Sequence, residues 1–219
     1  MAAMSAKQEI LRRIRSARGD LADQSPGTTP IPRRYQVRRD VPEGLIERFR
    51  ERVVDYRAEV DVVPADGVGA GVAGALARLG ASRVGVPAGL PSSWLPDGVQ
   101  VHRDAPSDPL GLDALQALHA VVTGCAVGIA ETGTVVLDGR PTCGRRALHL
   151  VPDAHVCVVA ASDIVDDVPA AIARLAPAPG ERAGPLTWIS GPSATSDIEL
   201  NRVEGVHGPR ALHVIVVRD

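Results

Sequence analysis

The stretch AVVTGCAVGIAETGTVVL, residues 120–137, holds three short runs of apolar residues that small and polar residues separate. Short apolar runs bounded by turn-forming residues are typical of strands that are buried on both faces. Strands are therefore predicted at residues 120–124, 127–130 and 133–137. The Asp138-Gly139 pair would close the last strand in a tight turn, which indicates some antiparallel pairing.

Similar apolar runs recur on both sides of this stretch, and helical patterns separate many of them. The further strands are predicted at residues 60–63, 83–86, 99–102, 156–160, 185–190 and 212–217. Helices are predicted at residues 66–80, 112–118 and 169–175. Short apolar strands that alternate with helices are the pattern of an α/β sheet covered on both faces. We predict a doubly wound α/β domain with a mostly parallel sheet over residues 59–219.

Residues 1–58 differ from this pattern and are interpreted as an N-terminal helical appendage. A first helix is predicted at residues 6–18, where Ser5 and Gln8 form a capping-box pair. Its many arginines fit a solvated basic face or a docking face for an acidic partner. A second helix is predicted at residues 43–58. The Pro-rich arm between the helices is long for a loop inside a compact domain, so we expect it to lie on a surface or a neighbouring subunit.

The composition argues against several classes of protein. A chain of 219 residues can bury a core without disulfides or metals. A net charge of −2 gives no general attraction to DNA, and 2% aromatic residues supply few stacking platforms, so we expect no nucleic-acid partner. No apolar stretch reaches the ~20 residues of a membrane span, and no signal peptide is recognisable. We expect a cytoplasmic protein, with peripheral membrane association at most through a partner.

The cysteines and histidines do not form a metal-binding pattern. Cys125, Cys143 and Cys157 are too far apart in sequence for a C-x-x-C pair, so we expect buried, reduced thiols rather than an iron–sulfur cluster or structural zinc. The six histidines never occur with H-x-x-x-H or H-E-x-x-H spacing. No metal site and no cofactor are therefore predicted in this chain.

The first candidate for chemistry is Glu131, which stands between an apolar strand and the turn Thr132-Gly133-Thr134. A partly buried carboxylate has a raised pKa or is paired, and either is common at functional sites. The two threonine hydroxyls can donate hydrogen bonds to a ligand. A glutamate that merely caps a turn fits the same pattern equally well.

The second candidate is the run SGPSATSDIE, residues 190–199, which follows an apolar strand. A glycine- and hydroxyl-rich turn that leads from a strand into a helix can bind an anion, here through Ser193, Thr195, Ser196 and Asp197. A capped helix start, with Ser193 or Thr195 as N-cap, is the plain alternative. The run lacks the spacing and the lysine of a P-loop.

Two more segments carry residues suited to a ligand. His207 lies between glycines in a tight loop, and the Arg145-Arg146 pair could bind a carboxylate or phosphate bidentately. Structural roles are open for both. Because α/β sheets bind ligands beyond their strand ends, we predict one pocket for a small carboxylate. Its catalytic residues would be Glu131 and His207, and its ligand-binding residues would be Thr132, Thr134, Arg145, Arg146, Ser193, Thr195, Ser196 and Asp197.

Three motifs occur together in this chain: GIAETGTVVL at residues 128–137, GRRAL at 144–148 and GPSATSDIELNRVEGVHGP at 191–209. In this order they resemble the LUD domain of the lactate utilization protein C family, and the resemblance covers about residues 60–217. It implies the fold type shared by ribose-phosphate isomerases and CoA transferases. It also implies a part in the oxidation of L-lactate to pyruvate by a three-protein system, whose other two members carry the iron–sulfur clusters.

Two functions are compatible with this resemblance. The first is a cluster-free subunit of the lactate-oxidising system, acting with two iron–sulfur partner subunits. The alternative is a stand-alone enzyme of acyl-transfer or phosphate-ester chemistry. In related CoA transferases a glutamate at a strand–turn attacks a thioester, and Glu131 would be its counterpart. The Thr-Gly-Thr that follows Glu131, and the lack of a recognisable CoA-binding glycine loop, depart from that pattern.

Overall fold

The computed structural model describes residues 5–18, 44–177, 184–192, 194–195, 203–205 and 207–218. The chain divides into two compact units, residues 1–36 and 37–219. In the first unit, helix α1 (Ala6–Arg18) starts with the predicted capping box. The Ser5 amide donates to Gln8 Oε1 at 2.9 Å, and the Gln8 amide donates to Ser5 Oγ at 3.3 Å. The predicted Pro-rich arm lies outside the described residues.

The second unit contains five helices and twelve strands within the described residues. The helices are α2 (Leu45–Asp55), α3 (Val68–Arg78), α4 (Leu112–Gln116), α5 (Arg146–Leu150) and α6 (Val168–Leu175). The strands are β1 (Glu59–Pro64), β2 (Arg83–Pro87), β3 (Gln100–Asp104), β4 (Ala120–Gly124), β5 (Val127–Ile129), β6 (Thr134–Leu137), β7 (Ala154–Ala160), β8 (Ile164–Val165), β9 (Thr187–Ile189), β10 (Ala194–Thr195), β11 (Val203–Glu204) and β12 (Ala211–Arg218).

Six of these strands form the central sheet, in the order β1-β12-β7-β4-β2-β3, and every neighbouring pair is parallel. A smaller sheet has the order β8-β5-β6-β9, in which β6 runs antiparallel to both β5 and β9. The antiparallel pairing expected next to the Asp138-Gly139 turn is therefore present. The predicted α/β class with a mostly parallel sheet is confirmed.

Both faces of the central sheet are covered, as the fully apolar strands require. In β7, Val156 and Val158 pack on the side where α3 lies, whereas Cys157 and Val159 pack against α2 and the smaller sheet. The residues between the central sheet and the smaller sheet form a core of their own. Phe49 and Val53 of α2 are fully buried in it, although the sequence groups α2 with the N-terminal appendage.

A crevice lies beyond the carboxyl ends of the central strands. Strands β2 and β4 are neighbours in the central sheet. From β2 the chain continues to β3 at one edge, whereas from β4 it continues to β7 in the opposite direction. The connections therefore change direction between β2 and β4. The loop at residues 138–145 packs over this point: the Gly124 amide donates to the Thr142 carbonyl at 2.8 Å, and the Gly89 amide donates to the Pro141 carbonyl at 3.0 Å. Such switch points are the usual ligand crevices of α/β sheets.

The alternative that Ser193 is the N-cap of a helix is wrong, whereas a helix that starts after Thr195 stays a prediction. Ala194 and Thr195 instead form β10, which pairs antiparallel with β11 through Ala194–Glu204 and Thr195–Val203. The residues that would follow Thr195 in a helix lie outside the described residues.

None of the helices in the described part of the chain is long and apolar enough to cross a membrane.

Candidate functional site

Helix α2 runs past the ends of all four strands of the smaller sheet. Near its start, Arg48 Nη1 lies 2.5 Å from Asp166 Oδ1, just after β8, and Arg48 Nη2 lies 3.9 Å from Glu131 Oε1, just after β5. The Asp166 side chain is 8% exposed and that of Glu131 is 38% exposed. The shorter, more buried contact makes Asp166 the stronger partner of Arg48. Glu131 is thus paired, one of the two outcomes expected for it.

The glycines of two predicted motifs allow α2 to lie this close. Gly133 has φ +60°, and a Cβ there would lie 2.5 Å from the carbonyl carbon of Arg52. Gly191 has φ +82°, and a Cβ there would lie 2.5 Å from the Cβ of Tyr56. Any other residue would meet both a strained backbone and a steric clash at these positions. The two glycines therefore have a packing role, whatever ligand the neighbouring residues bind.

The hydroxyl groups next to these glycines form a chain across the sheet edge. Thr132 Oγ1 and Thr134 Oγ1 are 2.7 Å apart, and Thr134 Oγ1 lies 2.7 Å from Ser190 Oγ. Either oxygen of each pair can be the donor, so the chain holds Ser190 Oγ in place and leaves it able to donate or to accept a further hydrogen bond. The strand pairing of β6 with β9 brings these two motifs together, although they are far apart in sequence.

Ser190 opens into a cavity of about 590 Å³, which we name the His207 cavity. Its lining includes Tyr56, Arg146, Trp188, Ser190 and His207. Arg146, the first residue of α5, is exposed and has no hydrogen bond or ion pair with another described residue. A guanidinium, an imidazole and an oriented hydroxyl thus border one space, which suits an oxygen-rich anion.

Arg145 and Arg146 are neighbours in sequence but have different surroundings. Arg145 Nε and Nη2 donate to the two oxygens of Asp104 at 2.8 and 3.0 Å, and Nη2 also donates to the Leu110 carbonyl at 2.6 Å. The Asp104 side chain is buried, so this bidentate pair holds the end of β3 to the loop before α5. Of the two arginines, Arg146 is the one whose charge is available to a ligand.

The structure brings part of the predicted site together. Arg146 and His207 line the same cavity, and Thr134 reaches it through Ser190, with Thr132 one hydroxyl further away. Glu131 and Arg145 lie outside the described lining of this cavity. Ser193, Ser196 and Asp197 fall outside the described residues, and Thr195 is described by its backbone. Ser190 was missed as a site residue, although it is the first hydroxyl of the SGPS run that the sequence singles out.

A second cavity, of about 650 Å³, lies in the crevice beyond β2 and β3, and we name it the His149 cavity. Its apolar walls come largely from proline rings, and its polar lining includes the charged pairs Arg140–Asp138 and Arg145–Asp104. Arg146 and Thr187 line both cavities. The sequence gives no signal for His149, because a lone histidine in a short helix has no characteristic spacing.

His149 belongs to a buried polar group behind this cavity. Its ring stacks on that of His155, with centroids 6.0 Å apart and planes inclined by 2°. His149 Nε2 lies 2.6 Å from the Cys143 carbonyl, and His155 Nε2 lies 2.8 Å from Thr123 Oγ1. Burial lowers the pKa of His149, and it lowers the pKa of His155 to about 3, so both rings are neutral at physiological pH.

The three cysteines meet in the core although they are well separated in sequence. The thiols of Cys143 and Cys157 both donate to the Gly124 carbonyl, at 3.7 and 3.8 Å, while that of Cys125 donates to the Val127 carbonyl at 3.1 Å. Burial raises the pKa of Cys143 to about 12, and a hydrogen bond with Cys125, together with burial, raises that of Cys157. Within the described residues no three acidic, histidine or cysteine side chains are grouped to hold a metal ion.

Comparison with known proteins connects this geometry to a family. A Deinococcus radiodurans protein named Lactate utilization protein C is 51% identical to this chain over 173 residues, which are 79% of each sequence. The chain belongs to the lactate utilization protein C family. The Geobacillus kaustophilus protein of the same name is 35% identical over 62% of this chain and 58% of its own length. The resemblance noted in the sequence is confirmed.

The fold of this lactate utilization protein C family member also has a solved counterpart. The crystal structure of a DUF162 family protein from Deinococcus radiodurans matches with a TM-score of 0.68 and 44% identity, and the match covers 79% of this chain and 96% of that one. The LUD domain matches residues 111–217. That span includes Glu131, Arg146, His149 and His207, whereas α2 and β1–β3 precede it. Both cavities therefore combine residues inside and outside the matched domain.

Proposed function

We propose that this chain is the cluster-free subunit of a system that oxidises L-lactate to pyruvate, and that it binds a small carboxylate in the His207 cavity. The names of its relatives in the lactate utilization protein C family support a role in lactate utilization. The observation that carries the ligand site is Arg146, a cation with no ion pair to another described residue, in one cavity with His207 and Ser190.

The residues of the His207 cavity match the chemistry of lactate and pyruvate. Each ligand has a carboxylate next to an oxygen, a hydroxyl in lactate and a carbonyl in pyruvate. The guanidinium of Arg146 can donate two parallel hydrogen bonds to the carboxylate. Ser190 Oγ, held by Thr134, and the imidazole of His207 can then bind the neighbouring oxygen.

Oxidation of a 2-hydroxy acid to a 2-oxo acid releases two electrons and two protons, and the electrons need an acceptor. We assign that acceptor to two iron–sulfur partner proteins. The cysteines of this chain support the assignment, because the thiolate is the form that ligates iron, whereas all three thiols are buried. Burial raises the pKa of Cys143, and a hydrogen bond with Cys125, together with burial, raises the pKa of Cys157. Protonated thiols inside a packed core are poor cluster ligands.

Glu131 and His207 have different places in this proposal. His207 lines the cavity and can exchange a proton with the ligand oxygen. Glu131 pairs with Arg48 of α2 and acts on the ligand through this helix, because Tyr56, the residue directly after α2, is part of the same lining. We therefore expect Glu131→Gln to change ligand affinity by less than about threefold. A ~100-fold loss of lactate oxidation in that variant would instead give Glu131 the acid–base role.

Titration of the purified chain with L-lactate and with pyruvate, followed by calorimetry, tests the ligand site. Arg146→Gln removes the charge but keeps a polar side chain of similar length, and we expect it to weaken binding at least tenfold, as for a lost charge-assisted hydrogen bond. Arg50→Gln is the matched control, since Arg50 is an exposed arginine that lines a different cavity, beside β1. Unchanged affinity in Arg146→Gln, or no binding of either acid by the wild-type chain, would contradict the site.

A further inference from the structure

Helix α1 carries a stripe of aliphatic side chains that face solvent. Ile10, Leu11 and Ile14 are 58%, 40% and 50% exposed. Residues with this spacing lie on one side of a helix, so the three side chains form a continuous apolar surface. A single exposed aliphatic residue is ordinary, whereas a group of them on one face indicates a surface on which the helix docks.

The rest of α1 is strongly basic. Its 13 residues include five lysine or arginine residues and one acidic residue, so the helix has a net charge of +4. Lys7, Arg12, Arg13 and Arg15 are all exposed. Glu9 Oε1 accepts hydrogen bonds from Arg12 Nη2 and Arg13 Nε, both at 2.8 Å, and even this shared carboxylate leaves an excess of positive charge.

Basic residues also stand at both ends of the apolar stripe. Lys7 precedes Ile10 and Leu11 by three and four residues, and Arg18 follows Ile14 by four. Each position is therefore one turn beyond the stripe on the same side of the helix. A long basic side chain at such a position can lay its methylene groups along an apolar surface and keep its charge in water. Helices that lie in the plane of a membrane surface have this arrangement.

The apolar area of the stripe is small for a protein interface. Each partner in a stable protein complex buries roughly 800 Å². Three aliphatic side chains that are about half exposed offer much less than this area. A membrane surface needs less apolar contact, because its negative potential attracts every basic residue within a Debye length. A small stripe with a large excess of charge therefore favours an anionic lipid surface over an acidic protein groove.

We propose that α1 binds anionic membrane surfaces, with its aliphatic stripe inserted at the boundary between headgroups and acyl chains. The net charge of −2 of the whole chain does not oppose this binding, because the attraction is local to α1. The inference replaces the expectation that membrane association occurs only through a partner. It goes beyond the proposed function and depends on neither cavity.

Cosedimentation of the full chain with sucrose-loaded vesicles tests the proposal. One set of vesicles contains phosphatidylcholine alone, and the other also contains the anionic lipid phosphatidylglycerol. We expect the partition coefficient to be at least tenfold higher for the anionic vesicles, because each basic residue near the surface adds to the attraction. Added salt should reduce this difference, since it shortens the range of the surface potential.

Ile10→Gln combined with Ile14→Gln tests the apolar stripe. Glutamine is a good helix former, so the variant should keep α1, which circular dichroism verifies. The loss of two aliphatic side chains should lower partitioning into the anionic vesicles at least tenfold. Val168→Gln combined with Ile172→Gln is the matched control, because these residues of α6 have the same spacing and are 37% and 52% exposed. The control variant should bind as the wild type does.

Arg15→Gln tests the charge, and it should lower partitioning about fivefold. Arg50→Gln, at an exposed position outside α1, is its control and should have no effect. Equal partitioning into the two kinds of vesicle, or unchanged partitioning in the double variant of α1, would overturn the proposal. Absence of binding to either kind of vesicle would also overturn it, and an acidic groove on a partner protein would then be the surface that the stripe fits.

Discussion

Two residues of one turn between β5 and β6, Glu131 and Gly133, show what their sequence motif encodes. The sequence predicts that Glu131 is paired or functional, and the structure supplies the pair in Arg48. The sequence cannot show why residue 133 is glycine, because the atoms that a side chain there would contact belong to Arg52, on a helix far upstream. A local pattern reports the backbone angle that a turn needs, whereas a close approach depends on tertiary packing.

The buried imidazole of His155 predicts a loss of stability in acid. Its pKa falls from 6.5 to about 3 in the folded chain, so between these values the unfolded chain binds a proton that the folded chain does not. The contribution of neutral His155 to the free energy of unfolding is therefore fully present above about pH 6.5, and it is lost as the pH decreases towards 3. At pH 4.5 the loss from His155 is about 3 kcal/mol. Urea unfolding from pH 7.5 to 4.5 measures it.

Replacing His155 identifies the source of this pH dependence. His155→Gln retains a group that can bond Thr123 but cannot titrate, so its free energy of unfolding should change less between pH 6.5 and 4.5. His207→Gln, an exposed histidine, is the control and should keep the wild-type slope. If the free energy of unfolding of His155→Gln falls with decreasing pH as steeply as that of the wild type, other groups cause the loss of stability in acid.

At the scale of elements, the apolar runs predict the strands of both sheets well. Most predicted strands lie within two residues of those observed, because buried strands leave continuous apolar runs. Helix α5 and the β10–β11 ribbon were not predicted, since each has two to five residues and no periodicity. The burial of α2 was not predicted either, because an amphipathic pattern does not reveal which core receives its apolar side.

The contact between α2 and the Gly133 turn gives a stability prediction. Gly133→Ala would combine a left-handed backbone with a clash against Arg52, and we expect a loss of about 3 kcal/mol. Gly80→Ala is a close control, because Gly80 has φ +62° and nothing within 4 Å of the added Cβ. It should cost about 1 kcal/mol, the backbone contribution alone. Equal losses in the two variants, measured by chemical unfolding, would show that α2 adjusts to the extra carbon.

At the scale of the whole molecule, the topology explains why two cavities border one arginine. The crevice beyond β2 and β3 and the edge of the smaller sheet meet at the start of α5, where Arg145 and Arg146 follow one another. The sequence predicts a ligand crevice beyond the strand ends and an anion-binding role for this arginine pair. It cannot predict that Asp104 neutralises Arg145, because that pairing requires β3 and the loop to be side by side.

The central claim, a cluster-free subunit that lactate oxidation requires, is tested most directly by reconstitution with the two iron–sulfur proteins. The measurement is lactate-dependent reduction of an artificial electron acceptor with this chain present and absent, together with the iron content of each purified protein. We predict oxidation only when all three proteins are present, with iron in the partners and none in this chain. Stoichiometric iron bound to this chain, or equal lactate oxidation by the partners without it, would contradict the account.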